Sequence, residues 1–445
     1  MKRTFFFKTL SFFGLMLMCA CEYQTIDMND ISDDVACKTP EMSDKYLSCV
    51  NAAKAEVEKL IGDLNASTGT RTDENTREIE DAYIVYDSQE DAEETRTDYE
   101  TSEGRAALCI VNFKQNHGFA ILSVDSIEPE LYGFSLEGRL DQGQTITNPG
   151  MIQLMEYLKF YIDGNEPSPD YPLYPRNDIV VSDWENTFYY PDGLCDVKWH
   201  QDAPYNKFCI DKAGNICPTG CTTTAVAQFM AANEYPSSYK QYTFDWDEMK
   251  KFPKAYLCSE NARISIARLM QQLGTSNNLN VEYGVKGSGA FIDNVPRTLK
   301  NFGYSNSGKV IYYDDNKVID ELIKGHCVIM RGADFKETHR TLFGWIIVKT
   351  IYSAGHTWLG HGLLKRSKTV KEYHWSSGEL LSSQTIEDWY ILCNWGYGGS
   401  HCGYYKSGIF NTAQRLKEED ITRSSIEGEE GNYQFQVKAV INVRK

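Results

Sequence analysis

One short segment constrains the fold of this chain more than any other, because it sets a cysteine in the first turn of a helix. Residues 218–236 read PTGCTTTAVAQFMAANEYP. After Cys221 the segment carries apolar residues at helical spacing until Pro236, namely Ala225, Val226, Phe229 and Met230. The free amides and the dipole of a helix N-terminus favour the thiolate, which is the nucleophilic form, and Gly220 is expected to leave room for a substrate backbone. The segment predicts a reactive Cys221, with a buried structural cysteine as the alternative.

Composition excludes one class of partner. The chain has 445 residues, of which 42% are hydrophobic, so it can bury a large core and is long enough for about three units. Its formal net charge is -17, and no basic stripe interrupts the acidic surface. A phosphate backbone would be repelled over most of such a surface, so nucleic acid is not an expected partner.

The N-terminus predicts a targeting segment. Basic residues flank an apolar run at 10–18 that is too short to span a bilayer and has the length of a secretory signal. Ala20 and Cys21 follow it and resemble a bacterial lipobox, although Met18 and Cys19 are not its commonest residues. We therefore expect a signal peptide at 1–20, lipidation of Cys21, a lipid anchor as the sole membrane attachment, and a place in the bacterial cell envelope. A plain signal peptide is the alternative.

The cysteine count predicts at least one free thiol. Of thirteen cysteines, eleven remain beyond the signal and the lipidation site, and an odd number cannot all be paired. Cys209 with Cys217, and Cys393 with Cys402, are close enough in sequence to form small disulfide loops. A zinc site from Cys209, Cys217 and Cys221 is disfavoured by their spacing.

The residues before 176 predict a small α+β unit. An amphipathic helix is expected over 41–64, followed at 65–104 by a polar, acidic insertion with one short strand at 83–86. A β-hairpin follows, AALCIVNF and GFAILSVD joined by KQNHG, and then a helix, PGMIQLMEYLKFYI. Residues 166–176 contain four prolines and predict a linker, so we place the domain boundary between 175 and 176.

The C-terminal half holds candidates for the groups that a cysteine nucleophile needs, which are a base and an orienting partner. In GHTWLGHGLL, His356 begins an apolar run typical of a strand, and His361 is its local rival. His326, His339 and His401 are further candidates. In CNWGYGG, Asn394 and Trp395 offer an amide and an indole that could hold an imidazole, although this is also an ordinary strand followed by a glycine-rich turn.

Five motifs, in this order, make residues 195–445 resemble streptopain and the bacterial cysteine peptidases grouped with it. They are VKWHQDAPYN, PTGCTTTAVAQFMAANEYP, VEYGVKGSGAFIDNVPRTLKNFGY, GHTWL and NWGYGG. The N-terminal half is similar to the family's inhibitory propeptide. The resemblance implies an α+β chain with a papain-like catalytic domain at 176–445, in which a helix bearing the nucleophile packs on an antiparallel β-sheet or barrel. A smaller α+β propeptide domain would occupy 21–175.

The resemblance also implies roles for single residues. Cys221 would be the nucleophile, His356 the general base, and Gln201 an oxyanion donor beside the amide of the cysteine. Asn394 and Trp395 would pack against the histidine, with the orienting residue left open between them. Substrate main chain is expected along the glycine-rich segment that contains Gly284, Ser288, Gly289 and Ala290. No metal and no cofactor is implied.

Three features depart from the family pattern. His361 and Gly362 stand where the family has aspartate and glycine, Tyr397 replaces a tryptophan, and KRSKTVKEYHWSSGELLSSQTIEDW lengthens the region before Asn394. They leave the nucleophile and the base in place, so they bear on substrate preference and on the pH profile.

The sequence therefore predicts a secreted cysteine endopeptidase made as a zymogen, with proteins or peptides as substrates and its own propeptide as inhibitor. Two alternatives remain open. One is a non-catalytic surface binding protein on the same fold, and the other is a cysteine acyltransferase, because the first half-reaction is shared.

Overall fold

The computed structural model describes residues 44–68, 77–87, 105–125, 128–163, 178–251, 259–332, 340–342, 346–348, 355–410 and 437–445. The predicted signal peptide, Cys21, the proline-rich linker and His339 lie outside these residues. The domain boundary at 175/176 lies outside them as well and stays a prediction.

The N-terminal half has the predicted order of elements. They are α1 (Asp44–Thr68), β1 (Ile79–Asp87), β2 (Arg105–Phe113), β3 (Phe119–Leu122), β4 (Leu131–Ser135) and α2 (Pro149–Asp163). The predicted hairpin is β2 and β3, which pair antiparallel. The predicted start of the polar insertion at 65 is wrong, since α1 continues to Thr68, and the short strand predicted at 83–86 is present but longer, with nine residues. Pairing with β2 stabilises this strand.

The C-terminal half supplies the remaining elements. Its helices are α3 (Cys221–Asn233), α4 (Trp246–Lys250), α5 (Glu260–Gly274), α6 (Val295–Asn301) and α7 (Asp315–Ile323). Its strands are β5 (Asp178–Val181), β6 (Glu185–Tyr189), β7 (Ser238–Tyr239), β8 (Tyr242–Thr243), β9 (Asn306–Tyr312), β10 (Val328–Arg331), β11 (Arg340–Leu342), β12 (Ile346–Val348), β13 (Thr357–Tyr373), β14 (Leu380–Asn394), β15 (Gly403–Lys406) and β16 (Lys438–Arg444).

One sheet of twelve strands runs through both halves of the described chain. Its order is β1-β2-β3-β4-β15-β14-β13-β10-β16-β9, with β5 and β6 also paired to β13. The two halves meet where β4 pairs antiparallel with β15, Ser135 opposite Gly403 and Phe134 opposite Tyr404. The strands of the N-terminal half therefore extend the sheet of the C-terminal half.

Three buried clusters cover this sheet. α2 packs with the first cluster, together with Trp358 and Trp395. α3, α5 and α6 pack with the second, and the apolar face of α1 forms the third with β1 to β4. The predicted α+β arrangement, with the helix that bears Cys221 packed on an antiparallel sheet, is confirmed.

Neither a membrane span nor a metal cluster occurs in the described part of the chain. No helix there is long and apolar enough to cross a bilayer. No three His, Cys, Asp or Glu side chains come together there in a group that could hold a metal ion.

Candidate active site

Cys221 is the first residue of α3, as predicted, and it is buried. Its relative exposure is 3%, and the helix is buried on all sides from Cys221 to Ala231. Gly220 caps the helix with φ 86° and provides no side-chain hydrogen bond. Because glycine has no side chain that could cap the first amides of α3, these amides remain suited to bind negative charge.

Gly220 is required here by a close contact within the chain itself. A Cβ on this residue would lie 2.7 Å from the carbonyl oxygen of Ser288, and its φ lies in the region that favours glycine. Any side chain at 220 would thus clash with the chain's own 284–290 segment. This contact brings Ser288 directly to the start of α3.

His356 lies just before β13 and is fully buried. Its Nε2 atom lies 2.8 Å from the main-chain oxygen of Trp395. A carbonyl oxygen only accepts hydrogen bonds, so Nε2 carries the proton and Nδ1 presents a lone pair. Nδ1 is buried and has no hydrogen-bond partner within the described residues.

The residues that follow the nucleophile and the base are bonded to each other. The hydroxyl groups of Thr222 and Thr357 are 2.9 Å apart, and both side chains are buried. Since Thr222 follows Cys221 and Thr357 follows His356, this bond joins the start of α3 to the start of β13. The structure therefore brings the two predicted catalytic residues onto facing, connected elements.

Gln201 is buried and is tied to the same loop. Its main-chain oxygen accepts a hydrogen bond of 2.8 Å from the amide of Thr219, two residues before Cys221. Its side-chain amide makes no hydrogen bond to another described residue. A buried amide beside a helix N-terminus can serve as a donor to an oxyanion.

Of the pair Asn394 and Trp395, the second contacts the histidine. The side chain of Asn394 donates to the carbonyl of Val197 at 2.9 Å and accepts from the amide of Gly396 at 3.1 Å, so both of its ends are engaged elsewhere. Trp395 holds His356 through its carbonyl, and its ring centroid lies 6.4 Å from that of the imidazole. Asn394 shapes the turn that presents this carbonyl.

The predicted substrate segment forms a tight turn beside the helix. Glu282 and Gly289 form an antiparallel bridge, and the amide of Gly284 donates to the Ser288 hydroxyl at 3.4 Å. The Ala290 carbonyl accepts a bond of 3.0 Å from Thr222. The turn is thus fixed against the residue that follows the nucleophile.

The rival histidine, His361, faces a different environment. It lines a cavity of about 480 Å³ with residues of α1 and of the 191–198 segment. Both ring nitrogens are buried without a hydrogen-bond partner among the described residues. Burial, with a smaller contribution from Lys198, lowers the pKa of His361 to about 3. His361 is therefore neutral near pH 7 and adds no charge near His356.

His401 and His326, the two other described candidates, are engaged or perturbed in ways that do not suit a general base. His401 bonds to the Ser400 hydroxyl at 2.6 Å, and burial lowers the pKa of His401 to about 4. His326 lies 3.6 Å from Glu321, and burial lowers its pKa. Neither histidine lies in or directly before β13, the strand whose first residue is bonded to the start of α3.

α2 of the N-terminal half lies directly over the site. A Cβ on Gly150 would lie 2.3 Å from the Trp395 ring and 3.0 Å from Cδ2 of His356. Asn148 accepts from the amide of Gly150 at 3.0 Å and donates to the carbonyl of Ser400 at 2.8 Å. The start of α2 is therefore fixed to the loop that follows Trp395 and closes off the histidine.

Two of the departures from the family pattern have structural counterparts. Tyr397, in place of tryptophan, packs on His200 with ring centroids 4.5 Å apart. The inserted segment forms the outer part of the long hairpin of β13 and β14, where β5 pairs with β13. This outer part is remote from the bond between Thr222 and Thr357.

The suggested disulfides are wrong. Cys209, Cys217, Cys393 and Cys402 are all free thiols. The amide of Cys217 donates to the carbonyl of Cys209 at 2.9 Å, so these two are neighbours through the main chain alone. The short separation of Cys209 and Cys217 in the sequence correctly predicted that they are neighbours, but not that they form a disulfide bond.

Sequence reasoning missed three contributors to the site, Arg331, Thr357 and Gly150. Arg331 Nη1 lies 3.3 Å from the Thr357 hydroxyl and 3.2 Å from the Ala290 carbonyl. None of the three sits in a motif with recognisable local chemistry. A signal was available only for Thr357, which directly follows the candidate base.

The start of a helix supplies Cys221, the strand bonded to that helix follows His356, whose Nδ1 is unpaired among the described residues, and a buried Gln201 lies on the loop before Cys221. These are the groups that a thiol hydrolase needs. Residues 199–405 match the model of the Peptidase C10 family, so the predicted resemblance to streptopain-like cysteine peptidases is confirmed. These residues contain Cys221, His356, Gln201 and Trp395.

Individual relatives agree with this match. Streptopain from Streptococcus pyogenes serotype M28 (strain MGAS6180) is 23% identical over 284 residues, which cover 51% of this chain and 69% of the relative. Streptopain from Streptococcus pyogenes is 24% identical over the same shares. The family and its relatives support a cysteine protease.

Two solved structures are similar as well. A fragment of prointerpain A from Prevotella intermedia has a TM-score of 0.48 and 19% identity, covering 81% of this chain and 98% of that fragment. The active wild-type interpain A cysteine protease from Prevotella intermedia has a TM-score of 0.36 and 23% identity, covering 57% of this chain and 94% of that protein.

Proposed function

We propose that this chain is a cysteine endopeptidase made as a zymogen, with Cys221 as nucleophile and His356 as base. The observation that carries the proposal is the hydrogen bond from His356 Nε2 to the Trp395 carbonyl. It holds the imidazole in the tautomer whose Nδ1 can accept a proton, on an element bonded to the start of α3.

The chemistry follows from these positions. The Cys221 thiol gives its proton to His356 Nδ1, and the thiolate attacks the carbonyl carbon of a peptide bond. The amide of Cys221 and the side chain of Gln201 would bind the oxyanion. The imidazolium then protonates the leaving amine, and water that His356 activates releases the acyl group. The Trp395 carbonyl stabilises the imidazolium through the Nε2 proton.

The N-terminal half is proposed to be the inhibitor. Cys221 and His356 are buried while α2 is in place, so a protein substrate could not reach them. The close approach of Gly150 to Trp395 supports a direct blocking contact. The pairing of β4 with β15 gives this half a large attachment to the catalytic sheet. Cutting in the linker at 166–176 would let it leave.

The decisive comparison is between the full-length chain and its Cys221→Ala variant. We expect the wild type to convert itself to a form of about 30 kDa, cut within the linker, and the variant to stay at 50.7 kDa. Cys109→Ala is the matched control, because burial raises the pKa of the Cys109 thiol to about 12 and makes it a poor nucleophile. It should convert like the wild type.

The products identify the reaction. Mass spectrometry of a generic protein digest should show new internal termini with the converted wild type and none with Cys221→Ala. New amide linkages in place of hydrolysis products would instead indicate acyl transfer. A wild type that neither converts nor cleaves any protein would contradict the peptidase and favour a non-catalytic binding protein.

For its location, we propose a lipid-anchored precursor in the bacterial cell envelope. The support is the apolar run at 10–18 followed by Ala20 and Cys21. Release of the catalytic half by a cut in the linker would separate the enzyme from this anchor.

A further inference from the structure

Four groups around the start of α3 form a ring of hydrogen bonds. Thr222 donates to the Ala290 carbonyl at 3.0 Å, and its hydroxyl lies 2.9 Å from that of Thr357. Arg331 Nη1 lies 3.2 Å from the Ala290 carbonyl, 3.3 Å from the Thr357 hydroxyl and 3.5 Å from the Thr222 hydroxyl. One guanidinium nitrogen thus contacts three oxygens from three separate segments.

Counting hydrogens gives the direction of each bond. A hydroxyl has one hydrogen, and that of Thr222 is used by the Ala290 carbonyl. Thr357 must therefore donate to Thr222. Arg331 Nη1 carries two hydrogens, which reach the Thr357 oxygen and the Ala290 carbonyl. The ring is closed and every hydrogen in it has an acceptor, a state in which hydrogen bonds strengthen one another.

Three members of the ring are buried, and the fourth, Arg331, is half-buried. Thr222 is 1% exposed and Thr357 is fully buried, while Ala290 is 9% exposed. A charged donor strengthens the bonds that it makes, and an unmade bond costs most in a buried site. Removing one member should therefore disturb the others.

Each member of the ring adjoins one part of the proposed catalytic machinery. Thr222 follows the nucleophile, Thr357 follows the base, and Ala290 ends the predicted substrate segment. Arg331 is at the end of β10, opposite Thr357 in the ladder with β13. The amide of Gly332, the next residue, also donates to the His356 carbonyl at 2.9 Å.

We propose that Arg331 is a positioning residue, which sets the distance and orientation between Cys221 and His356 through Thr222 and Thr357. The inference rests on the proposed function. It adds a residue that acts on Cys221 and His356 through Thr222 and Thr357 and does not act on the substrate. Its loss should leave Cys221 and His356 present but misaligned. Misplacement of reacting groups by about 1 Å can cost about a hundredfold in rate.

Arg331→Met tests this, because methionine keeps an unbranched apolar stem and removes the charge and all donors. The variant is made as the full-length chain and, where it does not convert itself, is converted by a trace of tagged wild type that is then removed. We expect its kcat to be lower than that of the wild type by about tenfold to a hundredfold. KM should change by less than about threefold, because the lost interaction serves the transition state. Arg331→Lys, which restores a charged donor without the fork, should recover part of kcat.

A pH profile separates positioning from a general loss of structure. In the converted wild type, iodoacetamide should react with Cys221 at a pH below the ordinary thiol pKa of about 8.5, because an aligned imidazolium stabilises the thiolate. In Arg331→Met, the midpoint of this profile should move up toward that value. The control is Arg297→Met. Arg297 lies on α6, is part-buried and donates to the Asn278 carbonyl at 2.5 Å. It should leave the midpoint in place.

A second pair of variants covers the case in which Arg331→Met does not fold. Thr357→Val removes the hydroxyl at nearly constant volume, whereas Thr357→Ser keeps it. We expect Thr357→Val to lower kcat by about tenfold and Thr357→Ser to stay within about twofold of the wild type. The effects of Thr357→Val and Arg331→Met should be less than additive, because both break one ring.

The inference and the proposed function fail in different ways. A wild type without selective labelling of Cys221 and without cleavage of peptides would sink the proposed function. If the wild type shows both and Arg331→Met has the same kcat and the same labelling midpoint as the wild type, only the positioning role is overturned. Equal losses in Arg331→Met and Arg297→Met, or equal activity of Thr357→Val and Thr357→Ser, would also overturn it.

Discussion

Gly150 at the start of α2 lies against the indole of Trp395 so closely that a Cβ there would be 2.3 Å from Cε3 and 2.6 Å from Cδ2. The same indole belongs to the residue whose carbonyl holds His356. The N-terminal half therefore contacts the proposed catalytic base through a position that admits no side chain. Contact of this kind couples release of α2 to exposure of the histidine.

Gly150→Val should weaken that contact. The added side chain must displace either the indole or α2, and overpacking of this kind costs about 1–3 kcal/mol of unfolding free energy. We expect a lower urea midpoint when the change is made in the Cys221→Ala chain, which cannot cut itself. With Cys221 intact, self-conversion should be faster than in the wild type, as followed by gel electrophoresis.

Gly62→Ala is the control for the preceding change. Gly62 lies within α1, and a Cβ there meets no atom within 4 Å. Alanine should stabilise that helix by about 0.5–1 kcal/mol and leave the conversion rate unaltered or lower. If Gly150→Val converts no faster than Gly62→Ala, the proposed blocking contact of α2 is wrong.

Local patterns were enough to predict α1, α2 and α3, the last with Cys221 in its first turn. Helical spacing after Cys221, the apolar run after His356 and the repeat in PGMIQLMEYLKFYI each arise within one segment. Burial then follows from which face of the helix is apolar. In α1 the apolar residues at helical spacing are buried except Leu47, which is 46% exposed; the buried ones are Val50, Val57, Leu60, Ile61 and Leu64. Periodicity within a single element is visible without knowledge of its neighbours.

Contacts between distant segments were not accessible in this way. The bond between Thr222 and Thr357 spans 135 residues, and the contact of Arg331 with Thr222 spans 109. The pairing of β4 with β15, which makes one sheet of two expected domains, depends on strand edges that have no local signature. The glycine at 220 was recognised as necessary, but the atom that requires it, the Ser288 carbonyl, comes from another loop.

The proposed anchor predicts a change in fractionation. Cys21→Ser should move the precursor from the detergent-soluble membrane fraction to the soluble envelope fraction, because lipidation requires the thiol. The neighbouring change Cys19→Ser keeps Cys21 and should leave the precursor with the membrane. A precursor that remains with the membrane after Cys21→Ser would contradict the lipid anchor.

The two histidines should differ sharply in their effect on turnover. His356→Ala should lower kcat by at least about a hundredfold, because it removes the positioned base. It should also raise the pKa of Cys221 by removing its imidazolium partner. His361→Ala should have a small effect on kcat, since His361 is on the cavity side of β13. Peptide hydrolysis by both variants across pH 5 to 9 checks this, and the reverse ranking would move the base to His361.

His361 should also make the full-length chain sensitive to acid. Burial holds the pKa of His361 at about 3 in the folded chain, whereas an unfolded histidine has a pKa of about 6.5. Between these values the unfolded chain binds a proton that the folded chain does not, so stability falls as the pH falls through this window. One such proton changes the unfolding free energy by about 1.4 kcal/mol per pH unit.

His361→Leu removes that proton and fills the same position with an apolar side chain. In the Cys221→Ala chain, urea unfolding at pH 7, 6, 5 and 4 should show a slope against pH that is smaller by up to about 1.4 kcal/mol per unit. Some slope should remain, because burial also lowers the pKa of His401, to about 4. An unchanged slope in His361→Leu would mean that the imidazole of His361 takes up its proton in the folded chain as it does in the unfolded chain. The cavity beside α1 would then solvate the charged ring, although neither ring nitrogen has a hydrogen-bond partner among the described residues.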